Sequence, residues 1–133
     1  MKSKKGFTLV EILIVVVILG ILAAIVIPQF TNASTEAKLS SLKSDLQTVR
    51  SQIELFKIQH DDAPPTAADF VSQMTVQDAN GFGPYLQKVP TNPFSGGNSV
   101  TADGSGGDWQ LTAAGVFTAA DGGSTDGVAH STW

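Results

Sequence analysis

The chain has 133 residues, with 12 Asp and Glu against 8 Lys and Arg, and no cysteine. The missing cysteines exclude a disulfide framework, a CxxC redox pair and a cysteine zinc site. Without its first six residues the chain carries five cations and twelve acids, which argues against a nucleic-acid partner because that requires clustered Lys and Arg.

The first element is apolar. Phe7–Ile27 is 21 residues long, and at about 1.5 Å per residue a helix of that length spans about 31 Å, the thickness of a bilayer core. Lys2, Lys4 and Lys5 precede it and no cation follows closely, so the positive-inside rule predicts a cytoplasmic N-terminus. Glu11 interrupts the run, and a carboxylate there is costly unless it is paired or reaches the headgroups. Three kinds of processing fit these features. One is an uncut signal anchor. Another is a conventional signal peptide cut near Thr31-Asn32-Ala33, although the apolar run is long for that. The third is a cut between Gly6 and Phe7 that keeps the helix on the mature protein.

The stretch KKGFTLVE resembles the class III signal of the type IV pilin and type II secretion pseudopilin family. Gly6, Phe7 and Glu11 match position by position, Thr8, Leu9 and Val10 fit the GFTLxE pattern, and Gly20 and Pro28 fall where such helices commonly carry them. The resemblance implies that a prepilin peptidase of the inner membrane cuts after Gly6 and N-methylates Phe7. Cleavage would create an α-amino group, a cation at neutral pH. Glu11, one helical turn away, can pair with that amine or a neighbour's. Alternatively, it snorkels to the headgroups.

Pro28 lacks an N–H and should loosen the helix without ending it. Beyond it, Leu39, Leu42, Leu46, Val49, Ile53 and Phe56 recur at spacings of three and four, the stripe of an amphipathic helix. The stripe reads either as a coiled-coil seam or as the inner face of a helix covered by its own C-terminal domain, and the family resemblance favours the second. Asp61-Asp62-Ala63-Pro64-Pro65-Thr66 ends the helix. Ala67–Met74 predicts a short helix capped by Thr66. His60 and His130 have no ligand-spaced partner and read as incidental.

Eleven of the 13 glycines lie between Gly81 and Gly127, so this half is rich in turns. The segment from Gly83-Pro84-Tyr85-Leu86 to Asn92-Pro93-Phe94 resembles one found in many pseudopilin-like chains. Trp109–Thr112 and Val116–Ala119 around Ala113-Ala114-Gly115 predict a hairpin. Val100 marks a third strand, with Asp103–Asp108 as a flexible connector. The expected fold is α+β: a long N-terminal helix, transmembrane in its first half and amphipathic in its second, packed on a small antiparallel β-sheet with Gly- and Asp-rich loops. The expected organisation is a cleaved leader at 1–6, an assembly helix at 7–28 and a globular domain at 29–133, with its helix at 29–60 and its loops and sheet at 61–133.

The ending AADGGSTDGVAHSTW resembles that of the major type II pseudopilins, in which an Asp/Gly loop holds calcium and a tryptophan closes the chain. The resemblance implies calcium ligands at Asp121 and Ser131, and Asp126 is the nearest further acid that could join them with backbone carbonyls. The acid usually found four residues before the tryptophan is Ala129 here, so the ligand set departs from the pattern. A solvated loop is the other reading.

No nucleophile–base set, Walker loop, HExxH or dinucleotide fingerprint occurs, so an enzyme is not expected. The resemblance implies a structural subunit, the major pseudopilin of a type II secretion pseudopilus. It would self-assemble through Phe7–Ile27 with minor pseudopilins and an inner-membrane assembly platform to drive export of folded proteins. Such a subunit is anchored in the inner membrane with its C-terminal domain in the periplasm. The alternatives are a type IV pilin of a surface fibre serving adhesion, twitching or DNA uptake, and a membrane-anchored periplasmic binding module.

Overall fold

The computed structural model of the protein describes residues 6–102 and 106–120. It falls into two compact units, Met1–Glu36 and Ala37–Trp133.

One helix, α1, runs from Leu9 to Gln59. Its start follows from Thr8, which sits just before the first turn with Glu11 three residues on. Its end follows from the turn His60–Asp62, where Asp61 and Asp62 both adopt positive φ, 52° and 63°, and the Asp62 N–H donates back to the Lys57 carbonyl at 2.9 Å. Pro28 lies inside α1. Its missing N–H deprives one carbonyl of a helical partner, and the helix continues through it. In the first unit every large apolar side chain from Phe7 to Phe30 is exposed. α1 is the helix among the described residues that is long and apolar enough to cross a membrane.

In the second unit the predicted stripe turns inward. Leu42, Leu46, Val49, Ile53 and Phe56 are buried and Leu39 is half-buried. They meet Phe70 and Met74 from α2 (Phe70–Thr75), Leu86 and Val89 from the following loop, and Trp109, Leu111, Phe117 and Ala119 from the sheet. Phe117 stacks between Phe70 and Trp109, with ring centroids 5.4 and 5.3 Å away. The sheet is too short to stand without this helix face, since a few paired residues bury too little apolar surface to be stable alone.

Three strands form it, β1 (Val100–Thr101), β2 (Trp109–Leu111) and β3 (Phe117–Ala119), in the order β1-β2-β3. The hairpin expectation holds. β2 and β3 are antiparallel, with Leu111 opposite Phe117 and Trp109 opposite Ala119, and Gly115 closes the turn at φ +82°. A side chain at Gly115 would place its Cβ 2.8 Å from Pro64 Cβ, so both conformation and space call for glycine.

The expected wholly antiparallel sheet is corrected. β1 runs parallel to β2, Val100 facing Trp109 and Thr101 facing Gln110, which makes the sheet mixed. The cause is Asp108, which is no part of a free connector. Its carboxylate accepts from the Ser99 N–H at 2.8 Å and the Ser99 hydroxyl at 2.6 Å, while the Asp108 and Trp109 N–H groups donate to the Ser99 carbonyl. Pinning Asp108 beside Ser99 starts β2 level with the start of β1, so the two strands run the same way. The expected helix at 67–74 is also displaced. α2 begins at Phe70, and Thr66 serves the turn ahead of it by accepting from the Asp69 N–H at 3.3 Å.

Among the described residues β3 is an edge strand, and the pairs Asp108–Ala120 and Thr112–Val116 leave the Phe117 carbonyl facing outward. Arg50 of α1 donates to it through Nε at 2.8 Å.

Candidate functional site

The functional segment begins where α1 begins. Gly6 has no neighbouring atoms within 4 Å that a side chain would meet, and the Phe7 side chain is 83% exposed. The bond between them lies ahead of the first helical residue, in non-helical chain, and both residues flanking it are exposed.

Glu11 is turned back on its own helix end. Its Oε2 accepts from the Thr8 N–H at 2.8 Å and the Thr8 hydroxyl at 2.9 Å, and the Glu11 N–H donates to Thr8 Oγ1 at 3.2 Å. This reciprocal arrangement is a capping box, in which residues three apart satisfy the donors that the first turn leaves unpaired. A carboxylate there is also favoured by the positive end of the helix dipole. The Thr-x-x-Glu spacing of Thr8 and Glu11 was a legible signal for this role, and reading Glu11 only as the partner of an amine or of headgroups overlooked it. Ile12 through Ile27 then present an all-round apolar surface with Gly20 within it, suited to lipid or to packing against other such helices.

Asp121, Asp126, Ser131 and His130 lie outside the described residues. Among the described residues no group of three or more His, Cys, Asp or Glu side chains could hold a metal ion.

His60 is corrected from incidental to structural. Its ring stacks on Phe56 at 3.9 Å, edge-on to Phe82 and Tyr85. Nδ1 lies 2.9 Å from the Phe56 carbonyl and Nε2 3.1 Å from Asp78 Oδ2. It thus ties the end of α1 to the loop 78–82, where Asp78 Oδ1 accepts from the Asn80 and Phe82 N–H groups. Desolvation pushes the Asp78 carboxyl upward, but the hydrogen bonds from Phe82, His60 and Asn80 together outweigh it and hold the group below its ordinary value. Desolvation and the neighbouring Asp78 charge push the Tyr85 phenol up, and its hydroxyl donates to Gln59 Oε1 at 2.6 Å.

A second polar knot supports the sheet. Asn92, buried, donates from Nδ2 to the Asp108 carbonyl at 2.8 Å and accepts at Oδ1 from the Phe94 N–H at 2.9 Å. Trp109 Nε1 donates to the Pro90 carbonyl at 2.9 Å. Hydrogen bonds from the Ser95 and Ser99 side chains, with the Ser99 and Gly97 N–H groups, hold the Asp108 carboxyl below its usual range against desolvation. These groups build a scaffold. Asn92 and Asp108 were missed because sixteen residues separate them, and no local pattern joins them.

The comparisons with known proteins fit this division into a terminal motif and a packed domain. Residues 1–27 match the prokaryotic N-terminal methylation motif, and residues 29–130 match the family described as type II secretion system (T2SS), protein G. The chain belongs to the type II secretion system protein G family. This family member is 30% identical to the type II secretion system core protein G of Pseudomonas aeruginosa, over 99% of this chain and 96% of the relative. It is 27% identical to the core protein G of Klebsiella michiganensis, over 86% and 84% of the two chains. It is also 51% identical over 55 residues to the type IV major fimbrial protein FimA of Dichelobacter nodosus, covering 41% of this chain and 35% of the relative. No solved structure matches at a significant level.

Proposed function

We propose that this protein G family member is the major structural subunit of a type II secretion pseudopilus. The observation that carries the reading is one helix with two surfaces. From Ile12 to Ile27 it is apolar on every side, and its second half is buried along a single stripe by the domain that follows. That is the form of a subunit stored in a membrane and polymerised through the same segment. The subunit sits in the inner membrane with its C-terminal domain in the periplasm and works with minor pseudopilins and an assembly platform to export folded proteins. The fimbrial likeness covers less than half of the chain, whereas the protein G likeness to the Pseudomonas relative covers nearly all of it, so a surface pilus is the second reading.

In this reading a prepilin peptidase hydrolyses the exposed Gly6–Phe7 bond, leaving the Gly6 carboxylate on the leader and an amine on Phe7 that is then methylated. The cut lies one residue ahead of Thr8, so the capping box survives it. Glu11 then has two partners in reach, the Thr8 donors and an ammonium one turn away. Pairing with a neighbouring subunit's amine satisfies in the fibre what Thr8 satisfies in the monomer. Asp121, Asp126 and Ser131 supply hard oxygens of the kind calcium prefers, and we assign them to a calcium site of the domain.

Mass spectrometry of the mature N-terminus tests the processing. A chain starting at N-methylated Phe7 supports the reading, and one starting at Met1 or Ser34 overturns it. Glu11→Ala is expected to leave cleavage intact and block fibres, so normal fibres from that variant would refute the pairing role.

A further inference from the structure

The loop 78–82, tied to the end of α1 through His60, contains the dipeptide Asn80-Gly81, and both residues are exposed. An asparagine loses its side-chain amide without an enzyme when the next backbone nitrogen reaches its Cγ, and a glycine at the next position leaves that approach unhindered. Gly81 has nothing within 4 Å of the place where a Cβ would stand. The Asn80 side chain is loosely held, since its Nδ2 lies 3.5 Å from Asp78 Oδ2, longer than an ordinary N–H···O bond.

The other asparagines, Asn32, Asn92 and Asn98, are placed differently. The nitrogen after Asn92 belongs to Pro93, which has no N–H to give up, and Asn92 itself is buried. The nitrogen after Asn98 is that of Ser99, whose N–H is held by the Asp108 carboxylate at 2.8 Å, a stronger bond than one to a neutral acceptor. Asn32 lies inside α1, where ring closure would have to break the helix. The Gly81 N–H donates instead to a neutral carbonyl, that of Asp78, at 3.1 Å. It does so in a turn whose residues 79–81 are all exposed, the kind of segment that opens locally at little cost.

We propose that Asn80 is a self-modification site, at which the folded loop converts asparagine to aspartyl and isoaspartyl forms through a cyclic imide with Gly81. The Gly81 N–H gives up its proton, the nitrogen bonds to Asn80 Cγ, and the Cγ–Nδ2 bond breaks with release of ammonia. Water then opens the imide. If the new Cγ–N bond is cleaved, an aspartate is left in an ordinary chain. If the original peptide bond to Gly81 is cleaved, the chain runs through the side chain and is longer by one carbon. One water is consumed and one ammonia released in either case. Both products act on the tie to α1. A carboxylate at position 80 replaces the amide donor facing Asp78 with a like charge. The lengthened chain moves the Phe82 N–H away from Asp78 Oδ1, to which it donates at 2.8 Å in the unmodified loop. Asp78 is the group that meets His60 Nε2 at 3.1 Å, so conversion loosens the loop from the end of the helix.

The full-length chain, folded in detergent, is aged in mildly alkaline buffer, where a backbone nitrogen gives up its proton more readily. Digestion under mildly acidic conditions, which stop further conversion, cleaves after Lys57 and Lys88 and releases residues 58–88, in which Asn80 is the one asparagine. Mass spectrometry then measures amide loss and isoaspartate at each asparagine. Loss at Asn80 is expected to run severalfold ahead of Asn32 and Asn98, to quicken as the pH rises, and to vanish from this peptide in Asn80→Gln, whose longer side chain closes a ring far more slowly. An intact Asn80 amide, or earlier loss at Asn32 or Asn98, overturns the proposal. Amide loss from the same peptide at the wild-type rate in Asn80→Gln assigns the change to a glutamine and overturns it too. The aged wild-type chain is expected to melt at a lower temperature than the fresh one, while Asn80→Gln aged in parallel keeps its melting temperature. An unchanged melt of the converted wild-type chain, or an equal fall in aged Asn80→Gln, overturns the loosening of the loop.

Discussion

Replacing Asn92 by alanine is the most direct test of how this small domain is held together. The side chain is only 2% exposed and makes two hydrogen bonds, from Nδ2 to the Asp108 carbonyl and to Oδ1 from the Phe94 N–H. Each is worth about 1 kcal/mol net, and a half-buried N–H left without a partner costs up to about 1 kcal/mol more. The loss falls mainly on Phe94, because the Asp108 carbonyl keeps the Ala120 N–H at 3.1 Å. Asn92→Ala should therefore cost about 2–3 kcal/mol, a large share of the ~5–15 kcal/mol typical of a domain. For a domain near 100 residues that corresponds to a fall in melting temperature of about 10–20 °C. Thermal melting of the full chain in detergent, followed by near-ultraviolet circular dichroism of Trp109, measures it. Asn92→Asp retains the acceptor for Phe94 but sets an oxygen against the Asp108 carbonyl, and should be at least as damaging at neutral pH. A loss below about 0.5 kcal/mol in Asn92→Ala, the scale of an ordinary surface change, would refute the role given to this knot.

Gly115→Ala combines a positive φ with a close approach to Pro64 and should cost at least about 1 kcal/mol, read as a lowered urea midpoint. Asp108 and Asp78 are both held below the ordinary carboxylate range when folded. Their contribution is present above the unfolded value near 4 and is lost as the pH falls through the folded values. Melting temperature should thus decline on the acid side, and Asp108→Asn should flatten that decline. Desolvation pushes the Asp45 carboxyl up, against a hydrogen bond from Ser41, so its charge is a cost at neutral pH. Asp45→Asn should leave the melting temperature at pH 7 unchanged or raised, and a clear fall there would show that the charge is stabilising. If Asp121, Asp126 and Ser131 hold calcium, a chelator should lower the melting temperature and added calcium restore it; an unchanged melt would count against the site.

The long helix and its inward face were legible because a 3–4 spacing over eighteen residues has few other physical meanings, and every stripe position from Leu42 to Phe56 proved buried. The β2–β3 hairpin was legible for a similar reason, since alternation around a glycine turn is local information. The direction of β1 was not, because it depends on Asp108 finding Ser99 across a loop. His60 was misjudged because its partner, Asp78, is eighteen residues distant. At the helix start the opposite happened. The Thr8–Glu11 spacing was plain, but the cost of an acid in an apolar run drew attention to distant partners before the nearest one.

The bond from Arg50 to the Phe117 carbonyl bears on how such a subunit stays soluble in its own company. An edge strand offers unpaired backbone groups to any other strand, and two molecules meeting there can zip into β-aggregates. A protein built to polymerise is especially exposed to that hazard. Arg50 occupies the acceptor and sets a charged, long side chain across the strand. The guard comes from the helix, so it is in place only once helix and sheet have packed. A half-folded subunit lacks it, and the native domain restricts the chain to ordered association.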